Sequence, residues 1–71
     1  MLQPYNYSMT LGRKIRDIRE SKGLTRDDLV RLSNLTSSTI YKIETNKMPK
    51  PSFEIIVKLA KALGISLDSL K

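Results

Sequence analysis

The chain has 71 residues, with 13 Lys plus Arg against 7 Asp plus Glu, and a net charge of +6. That length allows one small domain, which buries only about 60% of its unfolded surface, too little to enclose a large active-site cavity. With no Cys, His or Trp, the composition excludes disulfide staples, structural zinc sites and nucleophile–imidazole pairs, and the positive charge calls for an acidic partner.

Residues 1–9 have no apolar period and contain Pro4. They read as an N-terminal arm, loose or docked, with Tyr5 and Tyr7 as anchors, ahead of a domain over residues 10–71. The arm lacks a basic region followed by an apolar run, so no signal peptide is expected. The longest apolar run, Ile55-Ile56-Val57, is far too short to span a bilayer. A cytoplasmic protein with no membrane partner, no cofactor and no metal is expected.

Thr10 can cap a first helix, with Leu11, Ile15, Ile18 and Lys22 on one face. Gly23 suits the left-handed residue that ends it. Thr25 to Asp28 reads as a capping box, opening a second helix with Leu29 and Leu32 inward. Ser33-Asn34-Leu35 makes a tight turn, since Asn tolerates positive φ. Thr36 caps a third helix carrying Ile40 and Ile43, which Asn46 ends. Lys47 to Pro51 is predicted to be extended, because residues before proline avoid the α region. Ser52 caps a fourth helix, with Phe53, Ile56, Ala60 and Leu63 inward, and Gly64 ends it. Ser66 opens a last short turn holding Leu67 and Leu70, counted as the fifth helix. No segment alternates with period two. The fold class is therefore all-α, a compact bundle of five short helices.

Residues 25–45 carry the functional signal. Two short helices joined by a three-residue turn cross steeply, which is the helix-turn-helix arrangement. At about 100° per residue from Ser37, the residues Ser38, Tyr41, Lys42 and Thr45 fall between about 0° and 140°. Ile40 and Ile43 fall near 300° and 240° on the same scale, leaving a polar face opposite an apolar one. The third helix has no acid in its first turn, whereas the second has Asp27 and Asp28 and the fourth has Glu54. Its backbone N–H groups and dipole are thus open to phosphate. Read alone, Ser37 and Ser38 fit solvated filler equally well. Within a helix-turn-helix, DNA binding is the better reading.

At this point the sequence resembles the phage repressor and Cro class, the lambda-repressor-like XRE family. The resemblance runs from Leu11 to Leu70. It rests on LGRKIRDIRESKGLT, the two-helix unit, IYKIETNK and PSFEIIVKLAKALGISLDSL, with Gly23, Leu29, Ile40, Glu44, Ser52, Leu63, Gly64 and Leu70 in family spacing. It implies that the second helix of the unit lies in the major groove with its first residues against base edges. Ser37, Ser38, Tyr41 and Lys42 would then contact bases. Lys42 can donate to guanine. Tyr41 can meet a thymine methyl or a phosphate, or instead cover Ile40 as a half-buried ring. Arg26, Thr36, Thr39, Thr45, Asn46, Lys47 and Lys50 would contact phosphates. Arg19 and Glu44 would form a partly buried ion pair, the alternative being two solvated charges worth under ~1 kcal/mol.

The sequence departs from the family pattern at Arg26, where Gln is usual, at Val30, where Ala is favoured, and at Asn34, where Gly is favoured. The loop from Glu44 to Pro51 is about one residue longer than the commonest form. The function implied is sequence-specific double-stranded DNA binding by a bacterial or phage transcriptional regulator, a repressor, as a homodimer on a palindromic operator. The alternative is an antitoxin or another protein-interaction module of the same fold. An enzyme is not expected, since no paired-carboxylate constellation or Gly-rich phosphate loop is present.

Overall fold

The computed structural model describes residues 10–70. The expected arm, with Tyr5 and Tyr7, lies outside the described residues, as does Lys71. The elements are α1 (Leu11–Ser21), α2 (Arg26–Ser33), α3 (Ser37–Glu44), α4 (Phe53–Leu63) and a closing 3-10 turn (Leu67–Leu70). The described residues contain no strand.

Each α-helix starts on a hydroxyl. Thr10, Thr25, Thr36 and Ser52 accept from the amides of Arg13, Asp28, Thr39 and Ile55. This satisfies one of the backbone donors that every helix start leaves unpaired. At α2 the box is reciprocal: the Asp28 carboxylate accepts from the Thr25 amide at 2.9 Å. That bond, with those from Arg31 and the Thr25 side chain, holds the Asp28 carboxyl below its ordinary pKa. Asn34 ends α2 in the left-handed region, at φ 60°. Gly64 does the same for α4, at φ 68°.

The core takes residues from all four helices: Ile15, Leu29, Ile40, Ile43, Leu59 and Leu63 are fully buried. Each such side chain contributes about 1.5–3 kcal/mol of apolar burial. Leu70 from the closing turn completes it. Ser33 is buried too, and its hydroxyl donates to the Leu29 carbonyl at 2.6 Å and accepts from the Leu35 amide.

The structure corrects four expectations. The fifth element is a 3-10 turn rather than an α-helix. It spans four residues, with Ser69 N–H bonded to Ser66 C=O; a segment that short closes i→i+3 bonds more readily than i→i+4 ones. Leu32 is not inward but 56% exposed. The buried face of α2 is centred on Leu29 and Ser33, and Leu32 points about 80° away from it. Phe53 is 72% exposed on the first turn of α4, and Leu59 fills the core instead. Lys47 to Lys50 bend rather than extend. The amides of Lys47 and Met48 both donate to the Lys42 carbonyl, folding the loop back on the end of α3.

Gly12 explains how α1 reaches α3. It is buried, and a Cβ there would collide with the Ile43 carbonyl and crowd the Glu44 backbone. The two helices cross with their backbones in contact at this point. Gly12→Ala raises helix propensity by about 1 kcal/mol, yet it is expected to lower the melting temperature by about 5 °C or more through overpacking. A melting temperature that rises would refute the close crossing.

Asp28 gives a pH dependence with a definite sign. Its lowered pKa means that its contribution to stability is present above the unfolded-state value and lost as the pH falls through the folded-state value. Asp28→Asn is expected to melt below the wild type near neutral pH. Melting curves against pH will show that gap closing below about pH 4.

Candidate nucleic-acid interface

α3 divides its surface sharply. Ile40 and Ile43 are each 1% exposed and sit in the core. Ser37, Ser38, Tyr41 and Lys42 are exposed on the other side. The four residues assigned to bases thus share one accessible face. Tyr41 is 44% exposed, leaving part of its surface open on that face.

At the start of α3 the Thr36 hydroxyl accepts from the Thr39 amide at 3.1 Å and donates to Thr39 Oγ1 at 2.9 Å. Its single proton is therefore engaged, while that of Thr39 remains free to be donated outward. The Ser37 and Ser38 hydroxyls take no part in this cap. The first turn of α3 contains no acid. The first turn of α1 contains none either, so this property alone does not single out α3.

At the other end the Thr45 hydroxyl donates to the Tyr41 carbonyl at 2.7 Å. Asn46 takes the left-handed conformation at φ 63° and donates its amide to the Ile43 carbonyl. Both residues shape the turn after α3. They leave Lys47 and Lys50 exposed just beyond it. Thr45, Asn46, Lys47 and Lys50 lie together after the C-terminal end of the helix, and Thr36 and Thr39 lie at its N-terminal end.

The helix is held from beneath. Arg19 Nε donates to Glu44 Oε2 at 2.8 Å, and a second guanidinium N–H donates to Oε1 at 3.1 Å. The two side chains are 8% and 2% exposed. The third guanidinium nitrogen donates to the Leu24 carbonyl at 2.8 Å, in the turn before α2. One side chain of α1 thereby ties the end of α3 to the approach to α2. The hydrogen bond to Glu44 raises the Arg19 pKa above its ordinary value.

Arg26 joins the same carboxylate. Its Nε lies 3.4 Å from Glu44 Oε1, and its guanidinium carbon sits 5.3 Å from the centre of the Tyr41 ring. The guanidinium assigned to phosphate therefore has two partners within the protein. The sequence reading missed this contact, the Leu24 carbonyl and the packing role of Gly12. The last had one visible signal: a Gly inside a helical pattern costs about 1 kcal/mol against Ala and so marks a close approach.

The helix-turn-helix family model HTH_3 matches residues 15–70. The high-resolution crystal structure of the restriction-modification controller protein C.AhdI from Aeromonas hydrophila superposes with a TM-score of 0.80. Identity is 34%, over 86% of this chain and 91% of that one. The immunity repressor protein of Bacillus phage phi105 is 34% identical over 62 residues, 87% of this chain and 42% of the repressor. A segment of the Methanocaldococcus jannaschii glutamine–fructose-6-phosphate aminotransferase is 35% identical over 66 residues, 93% of this chain but 6% of the enzyme. The chain spans 42% or less of the length of the curated relatives it matches.

The chain belongs to the XRE-type helix-turn-helix family. No helix among the described residues is long and apolar enough to cross a membrane.

Glu44→Ala leaves Arg19 buried without its carboxylate. Breaking a buried pair from one side costs about 3–5 kcal/mol. The melting temperature is expected to fall by about 10 °C or more. A melting curve within a degree of wild type would show that the pair contributes nothing.

Proposed function

We propose that this chain is the sequence-specific DNA-binding domain of a bacterial or phage transcriptional repressor, acting in the cytoplasm as a two-fold dimer on a palindromic operator. The observation that carries this is α3 itself: it exposes Ser37, Ser38, Tyr41 and Lys42 on one face and buries Ile40 and Ile43 on the other. A helix presented this way fits the major groove, which admits one α-helix.

In this reading Lys42 donates to guanine O6 or N7, and Ser37 and Ser38 donate to or accept from base edges. Tyr41 adds an apolar surface one turn further on. Thr36, Thr39, Thr45, Asn46, Lys47 and Lys50 lie at the two ends of the helix, where the sugar-phosphate backbone passes. The amides of Ser37 and Ser38, at the helix start, add donors for a phosphate. Likeness to a phage immunity repressor and a restriction-modification controller supports the regulatory role. An open, mostly apolar groove lined by Pro51, Phe53, Ile56, Leu67, Asp68 and Leu70 supports a dimer, since it leaves Phe53 72% exposed. The domain is read as residues 10–71, with the preceding nine as an arm.

Selection from random duplex DNA, followed by a salt titration on the best site, tests this reading. A palindromic consensus and a steep fall of affinity with salt are expected. Lys42→Ala will relax the preference at one base pair. Lys47→Ala will weaken all sequences alike and reduce the log–log salt slope by about 1. Weak binding with no consensus would contradict the proposal and favour a protein-interaction module.

A further inference from the structure

Arg26 opens α2, and Tyr41 lies midway along α3. Sequence spacing alone does not bring them together. In the structure the guanidinium sits 5.3 Å from the ring centre, within the distance at which a cation is attracted by an aromatic face. The same guanidinium is held by Glu44 at 3.4 Å. Glu44 is in turn fixed by Arg19, through two hydrogen bonds from a side chain 8% exposed. Each member is positioned by the one beneath it, from Arg19 to Glu44, then Arg26, then the Tyr41 ring.

The backbone under the ring is also constrained. The Tyr41 carbonyl accepts from the Thr45 hydroxyl and from the Thr45 amide. The ring thus has a fixed base and a cation against one face, yet 44% of the residue remains exposed. An aromatic side chain has few torsions, so one such contact restricts it strongly. A guanidinium does this better than an ammonium, because it is planar and can face a ring while its edge meets a carboxylate.

We propose that Arg26 is a positioning residue that sets sequence preference through Tyr41, rather than a phosphate ligand. This rests on α3 being the DNA-reading helix. Arg26 holds the ring in one orientation, and the ring in that orientation discriminates the base pair it meets. Arg26 itself contributes no released counterion.

Two measurements separate the contact from its use. In the free protein, NMR is expected to show ring-current shifts on the Arg26 side-chain protons. They will disappear in Tyr41→Ala and survive in Tyr41→Phe. Unshifted Arg26 protons in the wild type would overturn the proposal. On DNA, Tyr41→Ala and Arg26→Ala are expected to lose about fivefold or more discrimination at the same base pair. The double variant will lose no more than either single one, and Tyr41→Phe will retain the preference. The salt slope of Arg26→Ala will match wild type. If Arg26→Ala melts too low for binding work, Arg26→Gln takes its place in the same comparison.

A uniform loss across all sequences, with the slope reduced by about 1, would make Arg26 a phosphate ligand and overturn the proposal. Additive losses in the double variant would overturn it as well. A wild type with intact ring-current shifts but no preferred sequence would refute the DNA reading and the positioning role together, while leaving the contact real.

Discussion

The buried pair between Arg19 and Glu44 is the constraint on which the rest of the molecule depends. It is made at one point but acts on three elements. Arg19 belongs to α1, Glu44 is the last residue of α3, and the spare guanidinium nitrogen holds the Leu24 carbonyl before α2. Burying two charges is costly unless all their donors and acceptors find partners. Here the carboxylate oxygens receive Arg19 from one side and Arg26 from the other. Gly12 makes the arrangement sterically possible, by letting α1 lie directly against the backbone of Ile43 and Glu44. The orientation of α3 is therefore fixed twice, by an ion pair and by a backbone contact a side chain would block.

Charge works locally in this protein. The net +6 describes a molecule attracted to polyanions, but several positive groups are paired on helix surfaces. Arg13 meets Asp17, Arg16 meets Glu20 and Arg31 meets Asp28. Such exposed pairs contribute little to stability. Arg19 is buried, and Arg26, its side chain still 45% exposed, is engaged by Glu44 and the Tyr41 ring. The cations grouped around the exposed face of α3 are Lys42, Lys47 and Lys50, each exposed. Lys42 stands on α3 itself, and the other two stand on the loop that follows it.

The starts and stops of the helices were legible in the sequence because caps are local chemistry. Thr10, Thr25, Thr36 and Ser52 each needed only their own next few residues to be recognised, and so did Asn34 and Gly64. The exposed face of α3 was legible for a related reason: Ile40 and Ile43 alone define which side is buried. Inward positions elsewhere were harder. Leu32 and Phe53 are apolar at plausible spacing, yet the buried stripe of a short helix is narrow, and its centre depends on where the neighbouring helices lie. The last segment misled similarly, since Leu67 and Leu70 fit either an α turn or a 3-10 turn over so few residues. Least visible were contacts between distant elements. Nothing local to Arg26 announces a Tyr fifteen positions on, and nothing local to Gly12 announces the backbone of α3.

The central claim is that the exposed side of α3, held by the Arg19–Glu44 pair, is the surface that meets DNA. Backbone amide NMR of the protein titrated with its selected duplex tests it most directly. The account predicts that the largest shift changes fall on Ser37, Ser38, Tyr41, Lys42 and Lys47, with α4 and the closing turn little affected. Changes centred on Phe53, Ile56 and Leu67, with α3 silent, would contradict it.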